Sequence, residues 1–253
     1  MTQIYLIRHG QAYCNVDKVL AGMNSDTGLT PFGVRQAERL RDRLTATGEI
    51  VADVLIASTL PRARQTAEIL APALGLPIIP DDDVQELRVG EADGLTWEQY
   101  ITQFGPPPDF REAPFQPLFK GGENWAQFVL RVGTALHRIA QEYEGKTVVV
   151  VCHGGVIDAS FIICLGMNML ALPPAQFHTR NTSITHWERY AYGEEHHWRL
   201  AGYNDDLHTR DLDAPERLGW VRLNAEPPAG SDAPAAPVPT EPTPEEAAAS
   251  AAQ

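Results

Sequence analysis

Apolar runs of strand length alternate along this chain with segments of helical period, the pattern of an α/β domain built on a mainly parallel sheet. Two of those runs, Ile4-Tyr5-Leu6-Ile7 and Thr147-Val148-Val149-Val150-Val151-Cys152, lead directly into His-Gly: Arg8-His9-Gly10 after the first, His153-Gly154-Gly155 after the second. Open α/β sheets place their chemistry at the carboxyl ends of their strands. A single His-Gly there is weak evidence, because a strand-end histidine before a turn glycine often serves folding alone. Two of them, with Arg8 and with Arg62 just beyond a third apolar run (Val54-Leu55-Ile56-Ala57), point to a pocket for an anion and a histidine that reacts with it.

The pattern predicts a three-layer α/β sandwich with helices on both faces of the sheet. Thr30-Pro31 reads as N-cap and first helical residue, with Ala37, Leu40 and Leu44 on one face. A strand is expected at 53–58, a helix from Pro61 to about Ala73, and a short strand at 76–80. The longest helix is expected over 123–143, where Trp125, Phe128, Val132, Leu136 and Ile139 recur at helical spacing. A strand at 147–152, a helix at 156–165 and two late strands at 183–188 and 197–201 complete the domain, taken as residues 1–224. Residues 84–121 show no period and read as an irregular binding loop or lid. Phe104, Phe110, Phe115 and Phe119 in it could wall a substrate mouth or pack locally.

From 225 onward the composition turns to Ala, Pro and Glu, which cannot build a core, so 225–253 is expected to be a disordered acidic tail. The chain carries 20 basic and 33 acidic residues, a net charge of -13, and the five tail carboxylates leave 1–224 at -8. That balance argues against nonspecific binding to nucleic acid or to acidic membrane surfaces. It leaves room for an anion held by locally focused positive charge. Three cysteines without a CxxC pair read as reduced thiols, no apolar run approaches the roughly 18 residues of a membrane span, and no leader precedes the first strand, so a cytoplasmic protein is expected. The expected partner is a small phosphorylated substrate. The sequence leaves a homodimer open.

Five segments in order carry a resemblance: Ile7-Arg8-His9-Gly10 with Asn15; Leu29-Thr30-Pro31-Phe32-Gly33 with Gln36-Ala37; Ser58-Thr59-Leu60-Pro61-Arg62-Ala63-Arg64-Gln65-Thr66-Ala67; Glu86-Leu87-Arg88-Val89-Gly90 with Gly94; and Val151-Cys152-His153-Gly154-Gly155. Together they resemble the histidine phosphatase superfamily, which includes cofactor-dependent phosphoglycerate mutases, over residues 4–185. The resemblance implies that His9 attacks phosphorus and becomes a phosphohistidine. Its other ring nitrogen would then donate to a backbone carbonyl that fixes the tautomer. It further implies that Arg8, Arg62 and His153 hold the transferred group, assisted by Asn15 and by the Gly154 turn at a helix N-terminus. Glu86 would protonate the leaving oxygen and later deprotonate the attacking water. No cofactor and no metal is implied, because arginines supply the neutralising charge.

Phosphatase and mutase share this machinery. Glu91-Ala92-Asp93-Gly94-Leu95-Thr96 lacks the lysine of the Gly-Leu-Asn-Lys-like mutase segment, and Gly121-Gly122-Glu123-Asn124 resembles the Gly-Gly-Glu-Ser of the phosphatase branch, departing at Asn124. Both favour hydrolysis. The alternatives are a phosphoglycerate mutase-type phosphotransferase and a noncatalytic phospho-ligand binder. A cysteine nucleophile fails because Leu20, Asp158 and Leu170 stand where its arginine is needed, six residues after each cysteine. Of Arg62 and Arg64, one is expected to be a surface or supporting cation, and the resemblance selects Arg62 for the site. Asp81-Asp82-Asp83 reads as a solvated carboxylate run. His178, His186, His196, His197 and His208 lack metal-ligand spacing. Asn181-Thr182-Ser183 is formally a glycosylation sequon without meaning in the cytoplasm.

Overall fold

The computed structural model of the protein describes residues 1–170 and 177–212; the expected tail, 225–253, lies outside the described residues. A six-stranded sheet has the order β3-β2-β4-β1-β5-β6. Its strands are β1 (Thr2–Arg8), β2 (Val54–Ser58), β3 (Ile78–Asp81), β4 (Thr147–Cys152), β5 (Ile184–Tyr192) and β6 (Glu195–Asp205). The first four run parallel, and β5 and β6 add an antiparallel hairpin at one side. The expected late strands are both present and longer than read, because the added residues, 189–192 in β5 and 195–196 and 202–205 in β6, mix polar, aromatic and small side chains without the apolar alternation that marks a strand.

Strand alternation sends neighbouring residues to opposite faces, and this divides the core in two. Val148, Val150 and Cys152 join Ile4 and Leu6 beneath α5 (Trp125–Glu142) and α6 (Gly154–Cys164), against Phe128, Val132, Leu136, Val156 and Phe161. Val149 and Val151 join Ile7, Leu55 and Ala57 on the other face, under α2 (Pro31–Thr47) and α3 (Pro61–Leu74), against Leu40, Leu44, Ala63, Ala67 and Leu70. The three-layer sandwich follows. The Thr30 hydroxyl accepts from Gly33 N–H at 3.0 Å and Pro31 opens α2, as the sequence predicts.

The stretch 84–121 is less irregular than its pattern implies. A short helix, α4 (Trp97–Phe104), stands in it, capped reciprocally by Thr96 and Gln99. Tyr100, Leu118, Phe119, Val89 and Ala92 form a third small core there, and Phe104, Phe110, Trp97 and Trp125 pack around it. Three of the four candidate wall phenylalanines therefore serve local packing, while Phe115 is 67% exposed. One further short helix, α1 (Tyr13–Asp17), follows the first strand end.

Candidate active site

Register brings the two His-Gly ends together. Ile7 pairs with Val151 and Arg8 with Cys152, so the next residue of each central strand, His9 and His153, falls on the same carboxyl edge. His9 N–H donates to Cys152 O at 3.0 Å, and the two imidazole centroids lie 5.2 Å apart. The turn after His9 is closed by the α2 motif. A Cβ on Gly33 would stand 2.0 Å from Gln11 O, so only glycine lets that helix approach, and Gln36 Oε1 accepts from Gln11 N–H at 2.8 Å. The Leu29–Ala37 segment thus holds the loop that carries the first histidine.

His9 is buried, with Nδ1 2.7 Å from Gly10 O. A carbonyl only accepts, so Nδ1 carries the hydrogen and Nε2 keeps its lone pair. Arg62 Nε–H points at that Nε2 from 3.2 Å, which agrees with the same tautomer. Burial, then the Arg62 and Arg8 charges, hold the His9 pKa well below the usual 6.5, against the opposing Gly10 hydrogen bond. The ring is neutral at physiological pH. The Asn181 side chain donates to His9 O at 2.9 Å, and Gly10 N–H donates to Thr66 Oγ1 at 3.0 Å.

His153 is fully buried, with Nε2 2.7 Å from the Ser58 hydroxyl and no hydrogen-bond partner for Nδ1. Burial depresses its pKa too, followed by the Arg62, His9 and Arg8 fields. Ser58 also accepts from Leu60 N–H at 3.3 Å. A hydroxyl donating to Nε2 would put the ring hydrogen of His153 on Nδ1.

Arg62 and Arg64 separate as a buried and an exposed cation. Arg62 lies in the first turn of α3 and pairs with buried Asp26 at 2.7 Å, while Arg64 is 70% exposed and pairs with Glu68 on the surface. Arg8 donates to Thr179 O; burial lowers its pKa, and the Glu86 and Asp158 charges act the other way. Glu86 crosses from the loop after β3 to the start of α6. Its Oε2 accepts from Gly155 N–H and its Oε1 from Leu87 N–H, both at 3.0 Å. The Gly155 donor of the glycine turn is therefore committed to Glu86, and of the two glycine N–H groups it is that of Gly154 that is left for an anion. Asn15 spends its Oδ1 on Ala12 N–H at 3.0 Å, which leaves its amide NH₂ for a ligand.

The segment bearing Glu86 is tied down by Arg131 of α5. Its guanidinium donates to the carbonyls of Asp83, Gln85 and Glu86 at 2.9, 3.0 and 3.2 Å, and pairs with Glu123 at 2.7 Å. The glutamate of the Gly-Gly-Glu motif thus acts as an anchor. Within the Asp81–Asp83 run only Asp81 departs from the solvated reading, its side chain being nearly buried against Arg138 at 2.7 Å; Asp82 is exposed, taking hydrogen bonds from Thr59 and Gln85, and Asp83 is half exposed.

Asp26, Asn181, Arg131 and Asp158 touch or electrostatically couple to the candidate site residues and lie outside the motif segments. Asp158 stands on the otherwise apolar α6, and that single carboxylate in an apolar helix was the available signal. Burial, reinforced by Glu86 and opposed by Arg8, pushes its pKa up to about 8. The thiols are poor nucleophiles: burial raises Cys14 and Cys152, and raises Cys164 to about 12. His186 stacks on Tyr5, His197 stacks on Tyr190, His196 faces Glu144, and His208 meets Thr182.

The family model for the histidine phosphatase superfamily, branch 1, matches residues 4–206. The chain belongs to this superfamily. A relative named an uncharacterized phosphatase, PhoE of Bacillus subtilis (strain 168), is 30% identical over 214 residues, covering 82% of this chain and 97% of its own. A metal-independent phosphoserine phosphatase of Arabidopsis thaliana is 33% identical over 171 residues, covering 64% and 68%. Relatives with phosphoglycerate mutase-like names stand beside them. Among solved structures, a mycobacterial glucosyl-3-phosphoglycerate phosphatase in complex with VO3 is 26% identical with a TM-score of 0.66, covering 80% of this chain and 98% of its own. Among the described residues, no helix is long and apolar enough to cross a membrane.

Proposed function

We propose that this superfamily member is a metal-independent phosphatase that hydrolyses a small phosphomonoester through a phosphohistidine on His9. The observation that carries the reading is the His9 tautomer: Nδ1–H is locked onto Gly10 O, and the Nε2 lone pair faces the Arg62 guanidinium. Nε2 attacks phosphorus and the bond from phosphorus to the leaving oxygen breaks. Glu86 gives that oxygen its proton. Water then attacks the phosphohistidine, Glu86 takes the proton back, the N–P bond breaks, and neutral His9 returns with orthophosphate released.

Arg8 and Arg62 neutralise the equatorial oxygens, which is the larger requirement in phosphoryl transfer. The His153 Nδ1–H and Gly154 N–H add donors, and the Asn15 amide assists. The phosphatase names of the relatives and the absent mutase-type lysine in 91–96 support hydrolysis over transfer. The mutase-like relatives make transfer between phosphoglycerates the second reading.

A panel of phosphorylated metabolites assayed with chelator present tests both readings. Chelator-insensitive phosphate release by the native protein, lost in His9→Ala, is the expected result. Persistent turnover by His9→Ala would overturn the nucleophile, and phosphoglycerate interconversion that depends on a bisphosphorylated primer would favour transfer.

A further inference from the structure

We propose that Asp26 is a positioning residue for phosphoryl transfer, acting through Arg62 to aim the guanidinium at the reacting nitrogen. The inference rests on the roles of Arg62 and His9 proposed above. Asp26 and Arg62 are both almost wholly removed from solvent, with side-chain exposures of 1% and 5%. The two carboxylate oxygens divide their work. Oδ1 accepts from Gly28 N–H at 2.9 Å, which ties the acid to its own loop. Oδ2 takes Arg62 Nη1 at 2.7 Å and Arg62 backbone N–H at 3.3 Å, which grips the arginine at both ends of its side chain.

The choice of nitrogen matters. A guanidinium presents oxygen pairs with two parallel N–H bonds along one edge. Arg62 Nη1 donates to Asp26 and, at 3.4 Å, to Ala21 O, while Nε is the atom 3.2 Å from His9 Nε2. The Nε–Nη2 edge is thereby turned toward the nucleophile, where a phosphoryl group would lie. An arginine without the anchor regains rotamer freedom that binding must then remove. It also leaves a buried charge uncompensated, so loss of Asp26 has a structural cost as well. The test must separate the two.

A double-mutant cycle does so. kcat/KM is measured with chelator, on an activated phosphomonoester that keeps slow variants measurable, for native protein, Asp26→Asn, Arg62→Ala and the double variant. Asp26→Asn keeps an acceptor for Gly28 and removes the charge. The expected loss is roughly 100-fold, the scale of an ångström misplacement of a catalytic group. In the Arg62→Ala background the same substitution is expected to change nothing further. Equal losses in both backgrounds, or native turnover in Asp26→Asn, would overturn the role of Asp26 and leave the phosphatase reading standing. Native turnover in Arg62→Ala would overturn the roles of Arg62 and Asp26 together. Asp26→Glu, which retains the charge one methylene farther out, runs in the same cycle should the asparagine variant not fold, with a smaller loss expected that again vanishes without Arg62.

Discussion

Gly155→Ala separates the role of Glu86 from the stability of the fold. A Cβ built on Gly155 stands 2.2 Å from Glu86 Oε1 and 3.1 Å from both Glu86 Cδ and Phe128 Cζ. Ordinary contact needs about 3.4 Å, so the carboxylate must retreat by about 1 Å and leave the Gly155 N–H, a displacement that costs a positioned catalytic group on the order of 100-fold. Folding does not share the loss, because alanine in a helix is favoured over glycine by up to about 1 kcal/mol and the main obstacle is the end of a flexible side chain. The assay is kcat/KM for an alkyl phosphate and for an activated aryl phosphate, beside a thermal melt. A proton donor matters most to a poor leaving group, so the alkyl ester is expected to lose far more than the aryl ester, with Tm unchanged or raised. Equal turnover of the alkyl ester by variant and native protein would refute the assignment of Glu86 as the acid.

Other consequences follow from the buried titrating groups and the exposed loop. His9 and His153 both have folded pKa values depressed below the ordinary 6.5, so their neutral burial supports stability above 6.5 and that support is lost as pH falls below it; urea titrations from pH 7.5 to 5, run in an Asp158→Asn background that removes the opposing carboxyl, are expected to show declining stability. The acid limb of kcat/KM, which reports the free nucleophile, is expected below pH 6.5 for the same reason. Asp158 behaves oppositely: its folded pKa of about 8 lies above the ordinary 3.8, so it destabilises increasingly as pH rises from 3.8 to 8. Asp158→Asn is expected to stabilise the protein at pH 7, by no more than about 4 kcal/mol, with the gain vanishing toward pH 4. Phe115→Ala should leave stability within about 0.5 kcal/mol, since the ring is exposed, and a raised KM in that variant would mark it as a substrate contact.

The sandwich and the juxtaposition of the two histidines were legible because both depend on local pattern. Strand runs, caps and His-Gly turns are written in consecutive residues, and parallel pairing of two such strands makes their ends neighbours. The helix at 97–104 was legible in principle, since Thr96-x-x-Gln99 is a capping box, but its eight residues are masked by the glycines and prolines around them. Asp26, Asn181 and Arg131 were not legible. Each acts by reaching a main-chain or guanidinium group distant in sequence, Asp26 to Arg62, Asn181 to His9 O and Arg131 to the carbonyls around Glu86, and no periodicity records such a contact. Asn181 was visible only as part of a sequon. Of the carboxylates at 81–83, read as solvated, Asp82 is exposed and Asp83 half exposed, while Asp81 is nearly buried because its partner, Arg138, comes from another helix.

The central claim is a covalent one, and trapping the intermediate tests it most directly. Native protein mixed rapidly with a labelled phosphomonoester and quenched in base should carry one acid-labile, base-stable phosphoryl group, mapped by peptide mass to His9 and absent from His9→Ala. Turnover with no trapped adduct under single-turnover conditions, or an adduct on any other residue, would contradict it.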